Sequence, residues 1–175
     1  MKPFITDALI DGRYILNYQI EGIEISELSR HLVGSNIIGY VLPNSQSLAC
    51  AWELKLIFDN GISIDFSSAC TNIGGWQEMG SLNIFFSDYI SDNNLDISVY
   101  QKSEVSFFVK SMDKLVFESS DVFSESGIIF LNGNGEEIII ATGVSPGSIS
   151  VKAPFCEANF NSELELEDCH RIVMQ

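Results

Sequence analysis

Two Asn-Gly turns, each set between alternating or continuous apolar runs, constrain this chain more than any other feature. Glu53-Leu54-Lys55-Leu56-Ile57-Phe58 runs into Asp59-Asn60-Gly61, and Ile62-Ser63-Ile64-Asp65-Phe66 then alternates apolar with polar. Further on, Gly127-Ile128-Ile129-Phe130-Leu131 reaches Asn132-Gly133-Asn134-Gly135 and returns as Glu136-Glu137-Ile138-Ile139-Ile140-Ala141. Asn and Gly accept the positive φ that a tight hairpin turn demands, so each segment predicts two antiparallel strands. The glycines around Gly133, Gly135 and Gly143 are turn residues, because no Gly-Lys-Ser/Thr follows to make a phosphate loop.

Both hairpins continue in the same way. The first leads through Ser67-Ser68-Ala69-Cys70 and a Gly-rich loop to the strand Gly80-Ser81-Leu82-Asn83-Ile84. The second leads through Thr142-Gly143-Val144 and Pro146 to Gly147-Ser148-Ile149-Ser150-Val151. The parallel predicts an internal repeat of residues 53–86 and 127–155 within a single domain, 1–175. The expected fold is mostly β (α+β), with two meander-like hairpin units forming a two-layer or rolled antiparallel sheet with one or two short helices.

Other strands are predicted over Leu95 to Tyr100, Val105 to Val109 and Leu115 to Glu118. Ser26 is placed as the cap of a short helix that buries Leu28 and Leu32, sets His31 as a partly buried packing residue and stops at Gly34. A single helical turn is expected over Asp88 to Asn93. The tail from Ser162 admits two readings. Glu163, Glu165 and Glu167 alternate with Leu164 and Leu166 as in an edge strand, and Ser162 with Glu165 has capping-box spacing; the strand is preferred.

Composition bounds the function. The 175 residues suffice for one core, and 46% hydrophobic against 19% charged residues excludes a disordered chain. No apolar run approaches the roughly 18 residues of a membrane span, and no signal-peptide pattern opens the chain. A soluble protein of the reducing cytoplasm is therefore expected, with Cys50, Cys70, Cys156 and Cys169 as free thiols and Cys50 as a small buried hydrophobe. Nine basic residues against 24 acidic give a net charge of −15. That charge repels nucleic acid and anionic lipid and attracts a basic partner.

Catalytic and metal patterns do not assemble. The two histidines, His31 and His170, lack metal-ligand spacing; Cys169 and His170 are adjacent and point to opposite faces of a strand. No serine occupies a nucleophile elbow. No enzyme activity, metal or cofactor is expected. The segment Cys70-Thr71-Asn72-Ile73-Gly74-Gly75-Trp76-Gln77-Glu78-Met79-Gly80 suits a surface role. Trp76 either anchors a partner, with Asn72 and Glu78 beside it, or folds back over one end of the core. Glu163, Glu165, Glu167 and Asp168 form a second candidate partner-binding patch, or else a solvated edge protected by charge.

At Asp59-Asn60-Gly61, Gly74-Gly75-Trp76-Gln77-Glu78 and Ser145-Pro146-Gly147-Ser148 the chain resembles small bacterial cytosolic immunity proteins of contact-dependent and polymorphic toxin systems, over about residues 50 to 155. The shared features are turn chemistry, so no binding residue carries over. The resemblance implies a stoichiometric inhibitor of one cognate toxin domain, and the acidic charge suits the basic cleft of a nuclease toxin. The alternative is a β-type small-ligand or carbohydrate-binding module that uses Trp76 and Asn72.

Overall fold

The computed structural model describes residues 9–74, 77–89, 96 and 98–175. The protein is mostly β. Its strands in chain order are β1 (Leu9–Ile10), β2 (Arg13–Leu16), β3 (Gln19–Glu21), β4 (Asn36–Pro43), β5 (Leu54–Phe58), β6 (Ile62–Gly74), β7 (Gln77–Asp88), β8 (Tyr100–Phe108), β9 (Ser111–Glu118), β10 (Val122–Leu131), β11 (Glu137–Thr142), β12 (Ile149–Lys152) and β13 (Cys169–Val173). One α-helix, α1 (Ile25–Leu32), lies between β3 and β4.

The strands form two sheets that pack face to face. In the six-stranded sheet the order is β3-β7-β6-β5-β4-β8. In the seven-stranded sheet β13 pairs with β9, β9 with β10, β10 with β11 and β11 with β12, while β2 and β1 add beside the first half of β10. Each sheet thus contains a four-stranded antiparallel meander, β4 to β7 or β9 to β12, whose next strand returns to pair with the first. Both Asn-Gly hairpins join the second and third strands of their meanders. Their turns carry Gly61 at φ +82° and Gly135 at φ +84°, the backbone that dictates glycine there.

Between the sheets lies the core. Leu54, Leu56, Phe58, Ile64, Phe66, Leu82 and Ile84 of one sheet meet Ile128, Phe130, Ile138, Ile140, Ile149 and Val151 of the other. Phe130 sits at the centre, its ring 6.3 Å from that of Phe58 and 6.4 Å from that of Phe66. Helix α1 closes one end with Leu28 and Leu32, both buried. A second apolar cluster, Leu115, Ile129, Ile139 and Ala141, lies on the far face of the seven-stranded sheet, where Phe160 and Leu166 of the C-terminal segment cover it.

The sheets meet where the N-terminal ribbon crosses from one to the other. β2 runs parallel to β10, and β3 runs parallel to β7. At the crossing, the Tyr18 amide donates to Glu125 Oε2 at 2.7 Å and the Tyr18 hydroxyl donates to the Gly127 carbonyl. Lys114 closes an ion pair with the other oxygen of Glu125. Burial pushes the Tyr18 phenol well above its ordinary range, with the Glu125 charge adding to it.

Several local expectations are corrected. The helix begins one residue before Ser26; Glu24 occupies the cap position and makes no side-chain capping bond. His31 is exposed and meets the edge of the Phe86 ring at 5.5 Å. The Gly-rich loop expected after Cys70 is largely strand, because β6 stays paired with β7 through Gly74. Ser98 and Val99 form a turn built on the Asp96 carboxylate, which accepts from the Ser98 amide at 2.9 Å, so β8 starts only at Tyr100. Leu95 and Ile97 of that expected strand, and most of the turn expected over Asp88 to Asn93, lie outside the described residues; Asp88 itself ends β7. Cys50 is exposed because it closes a tight turn with Ser47 instead of entering the core. The expected tail strand is replaced by a crossing segment with a 3-10 turn at Leu166–Asp168. Leu166 covers the outer cluster.

Candidate functional site

One end of the sandwich gathers side chains that packing alone does not require. Three elements build it: the β4–β5 connection ending in Trp52, the β11–β12 turn from Gly143 to Ser148, and the β6–β7 hairpin. Main-chain bonds hold them together. Ala51 and Ile149 exchange backbone hydrogen bonds of 3.0 and 2.7 Å, Val144 donates to Asn161 at 3.2 Å, and Glu163 donates to Thr142 at 2.8 Å.

Trp52 is 54% exposed and Val144 67% exposed, large apolar surface that the core leaves out. The Trp52 ring lies over Gly147, where an added Cβ would come within 3.6 Å of it. Cys70 lies beside the same turn. Its thiol donates to Glu78 Oε2 at 3.5 Å, and burial, followed by that bond to Glu78, pushes its pKa up to about 11. Such a thiol stays protonated at neutral pH and is a poor nucleophile.

Glu163 sits deeper. Its carboxylate accepts the Gly80 amide at 2.9 Å, and burial pushes its pKa above the usual carboxylate range, with the Gly80 amide opposing the shift. Gly80 is required at that point, since a Cβ would stand 2.8 Å from both Thr142 and the Glu163 carboxylate. The absent side chain lets β7 approach β11 closely.

The residues expected to bind a partner are thus divided. Asn72 and Glu78 face one another in register across the β6–β7 hairpin, both exposed, and the Asn72 side chain accepts the Gly74 amide at 2.9 Å. Trp76 lies outside the described residues. Glu163 and Glu78 both lie close enough to Cys70 for their charges to act on its thiol, so one residue of each predicted patch comes to the same neighbourhood. Glu165, Glu167 and Asp168 are exposed around the 3-10 turn and do not share a strand face with Glu163. Sequence reasoning passed over Trp52 and Val144. Trp52 follows Leu48-Ala49-Cys50-Ala51, which reads as one apolar stretch, and the tight turn that ejects it has no glycine or proline to announce it.

Among the described residues no group of three or more His, Cys, Asp or Glu side chains is arranged to hold a metal ion, and no helix is long and apolar enough to cross a membrane. No family model, curated protein or solved structure matches the chain.

Proposed function

We propose that the protein is an immunity-type inhibitor of the bacterial cytoplasm, which binds a basic toxin domain, such as a nuclease, and blocks it without turning over a substrate. The observation that supports this reading most is the end of the sandwich where Trp52 and Val144 are exposed, with Trp52 over Gly147 and Cys70, bonded to Glu78, beside the same turn, in a chain of net charge −15. An aromatic anchor bordered by carboxylates suits a partner whose own surface is cationic. The overall charge steers encounter, and the apolar pair supplies contact once the surfaces meet.

Co-expression with the toxin domain encoded beside this chain tests the reading. Cells are expected to survive, and the two proteins to elute together on gel filtration. Trp52→Ala should weaken the complex by about 2 kcal/mol, as buried aromatic anchors do. Glu78→Gln should slow association and flatten its dependence on salt, with little change in dissociation. Cells that die as fast with the protein as without it, and no complex in solution, would remove the proposal.

A further inference from the structure

A second surface lies at the open edge between the sheets, where β4 and β8 meet the segment that follows β12. It is a cleft of about 290 Å³, at the lower end of ligand cavities, roughly 300–1,000 Å³, and sized for a single ring. Its wall is aromatic. Tyr40 of β4 and Phe155 stack with ring centroids 5.8 Å apart and planes 16° from parallel, an offset aromatic pair in the cleft lining. Both rings are only partly buried.

Two amides also line the cleft, each anchored at one end. Gln101 Nε2 donates to the Gln46 carbonyl at 2.8 Å and to the Pro43 carbonyl at 3.4 Å. Gln46 Oε1 accepts the Trp52 amide at 2.8 Å. Among the described residues these bonds leave Gln46 Nε2, a donor, and Gln101 Oε1, an acceptor, without partners, both on residues that line the cleft. Backbone bonds fix the orientation of each amide, so the ordering cost is met before any ligand arrives. Ser47 and Glu157 complete the polar border.

We infer that this cleft binds one pyranose ring, with the ring's C–H groups against the Tyr40–Phe155 pair and its hydroxyls between Gln46 Nε2 and Gln101 Oε1. A hydroxyl can accept from the first amide and donate to the second, which a purely cationic or purely anionic ligand cannot do. A neutral sugar also escapes the repulsion that a chain of −15 exerts on anions. This binding is independent of the partner contact proposed above, since the sugar alone is the ligand.

Saturation-transfer NMR with glucose, galactose and N-acetylglucosamine, with adenosine as the competing class, tests the inference on the whole chain. Saturation is expected on the C–H protons of at least one sugar in the millimolar range, and weaker on adenosine. Phe155→Leu should abolish it. Gln46→Glu keeps an oxygen to accept from Trp52 and replaces the donor with a charged acceptor, so it should weaken binding about tenfold with the fold intact. Circular dichroism of both variants separates loss of binding from loss of structure, and Gln46→Glu carries the test where Phe155→Leu does not fold. A sugar response unchanged by Gln46→Glu, no response to any sugar, or adenosine binding in preference to all three would overturn the inference.

Discussion

The two sheets share a strand order and differ in what they do with their outer faces. In the seven-stranded sheet the central strands read as unbroken apolar runs, Ile128-Ile129-Phe130 and Ile138-Ile139-Ile140. Alternate members point to opposite faces, so Ile128, Phe130, Ile138 and Ile140 fill the core while Ile129 and Ile139 emerge on the other side under Phe160 and Leu166. In the six-stranded sheet Ile62-Ser63-Ile64-Asp65-Phe66 alternates. Ile64 and Phe66 enter the core; on the outer face Ser63 shares a 3.0 Å hydrogen bond with Ser87, and Asp65 pairs with Lys55 at 2.7 Å. The difference teaches that strand order leaves the number of layers open. An apolar outer face recruits a third layer from the chain's own tail, whereas the polar one carries cross-strand pairs, though among the described residues Asp65 Oδ1 and Asn83 Oδ1 stay buried without a hydrogen-bond partner.

Equivalent truncations on the two outer faces should therefore diverge. Ile129→Ala removes three methyl or methylene groups from a site with 0% exposure and should cost about 2–5 kcal/mol in urea unfolding. Ser63→Ala removes one hydrogen bond on the other sheet and should cost about 0.5–1.5 kcal/mol. Similar costs at both positions would mean that the C-terminal segment does not pack on the seven-stranded sheet as a genuine layer.

That contrast also marks what the sequence made legible. The two hairpins, their third strands and the mostly-β class followed from turn chemistry and from the period-2 pattern, which are local. The third layer was in principle readable too, because Ile138-Ile139-Ile140 cannot hide both faces in a two-layer fold. The N-terminal ribbon was not readable. β1, β2 and β3 are two to four residues long, and β2 and β3 pair in parallel with strands far along the chain, so no local periodicity announces them. Around the candidate site, the exposure of Asn72 and Glu78 was legible because they flank a Gly-rich turn. Trp52 was missed because its exposure comes from the Ser47–Cys50 turn. Glu163 was placed on the surface because its descent against Gly80 depends on a contact 83 residues away in sequence.

The crossing between the sheets offers a second, smaller effect. Lys114 and Glu125 are an ion pair with side-chain exposures of 22% and 10%, and Glu125 also holds the Tyr18 amide. Lys114→Met leaves a buried carboxylate without its cation and should cost about 3 kcal/mol. Adding Glu125→Gln should restore part of the loss, since the amide oxygen still accepts from Tyr18 while the charge is gone. A double variant no better than the single one would place the cost in packing around Tyr18 and not in the stranded charge.

The smallest expected effect is on Glu163, where the cover of one sheet touches the close approach of the other. Burial raises its pKa in the folded state above the unfolded value. The folded protein therefore holds this proton more tightly than the unfolded chain does. Stability from this group falls as pH rises from the ordinary carboxylate range through the raised pKa, and stays lower above it. Glu163→Gln retains an oxygen for the Gly80 amide and removes the charge, so it should raise Tm at pH 7. Below about pH 4, where the native carboxyl is protonated in both states, variant and parent should melt together. Melting curves by circular dichroism between those two pH values measure the gap. A Tm for Glu163→Gln that stays level with the parent, or falls below it, at pH 7 would mean that the Glu163 carboxylate is not held as a buried charge. It would then stand with Glu78 on the surface offered to a basic partner, and Glu163→Gln should slow association as Glu78→Gln does.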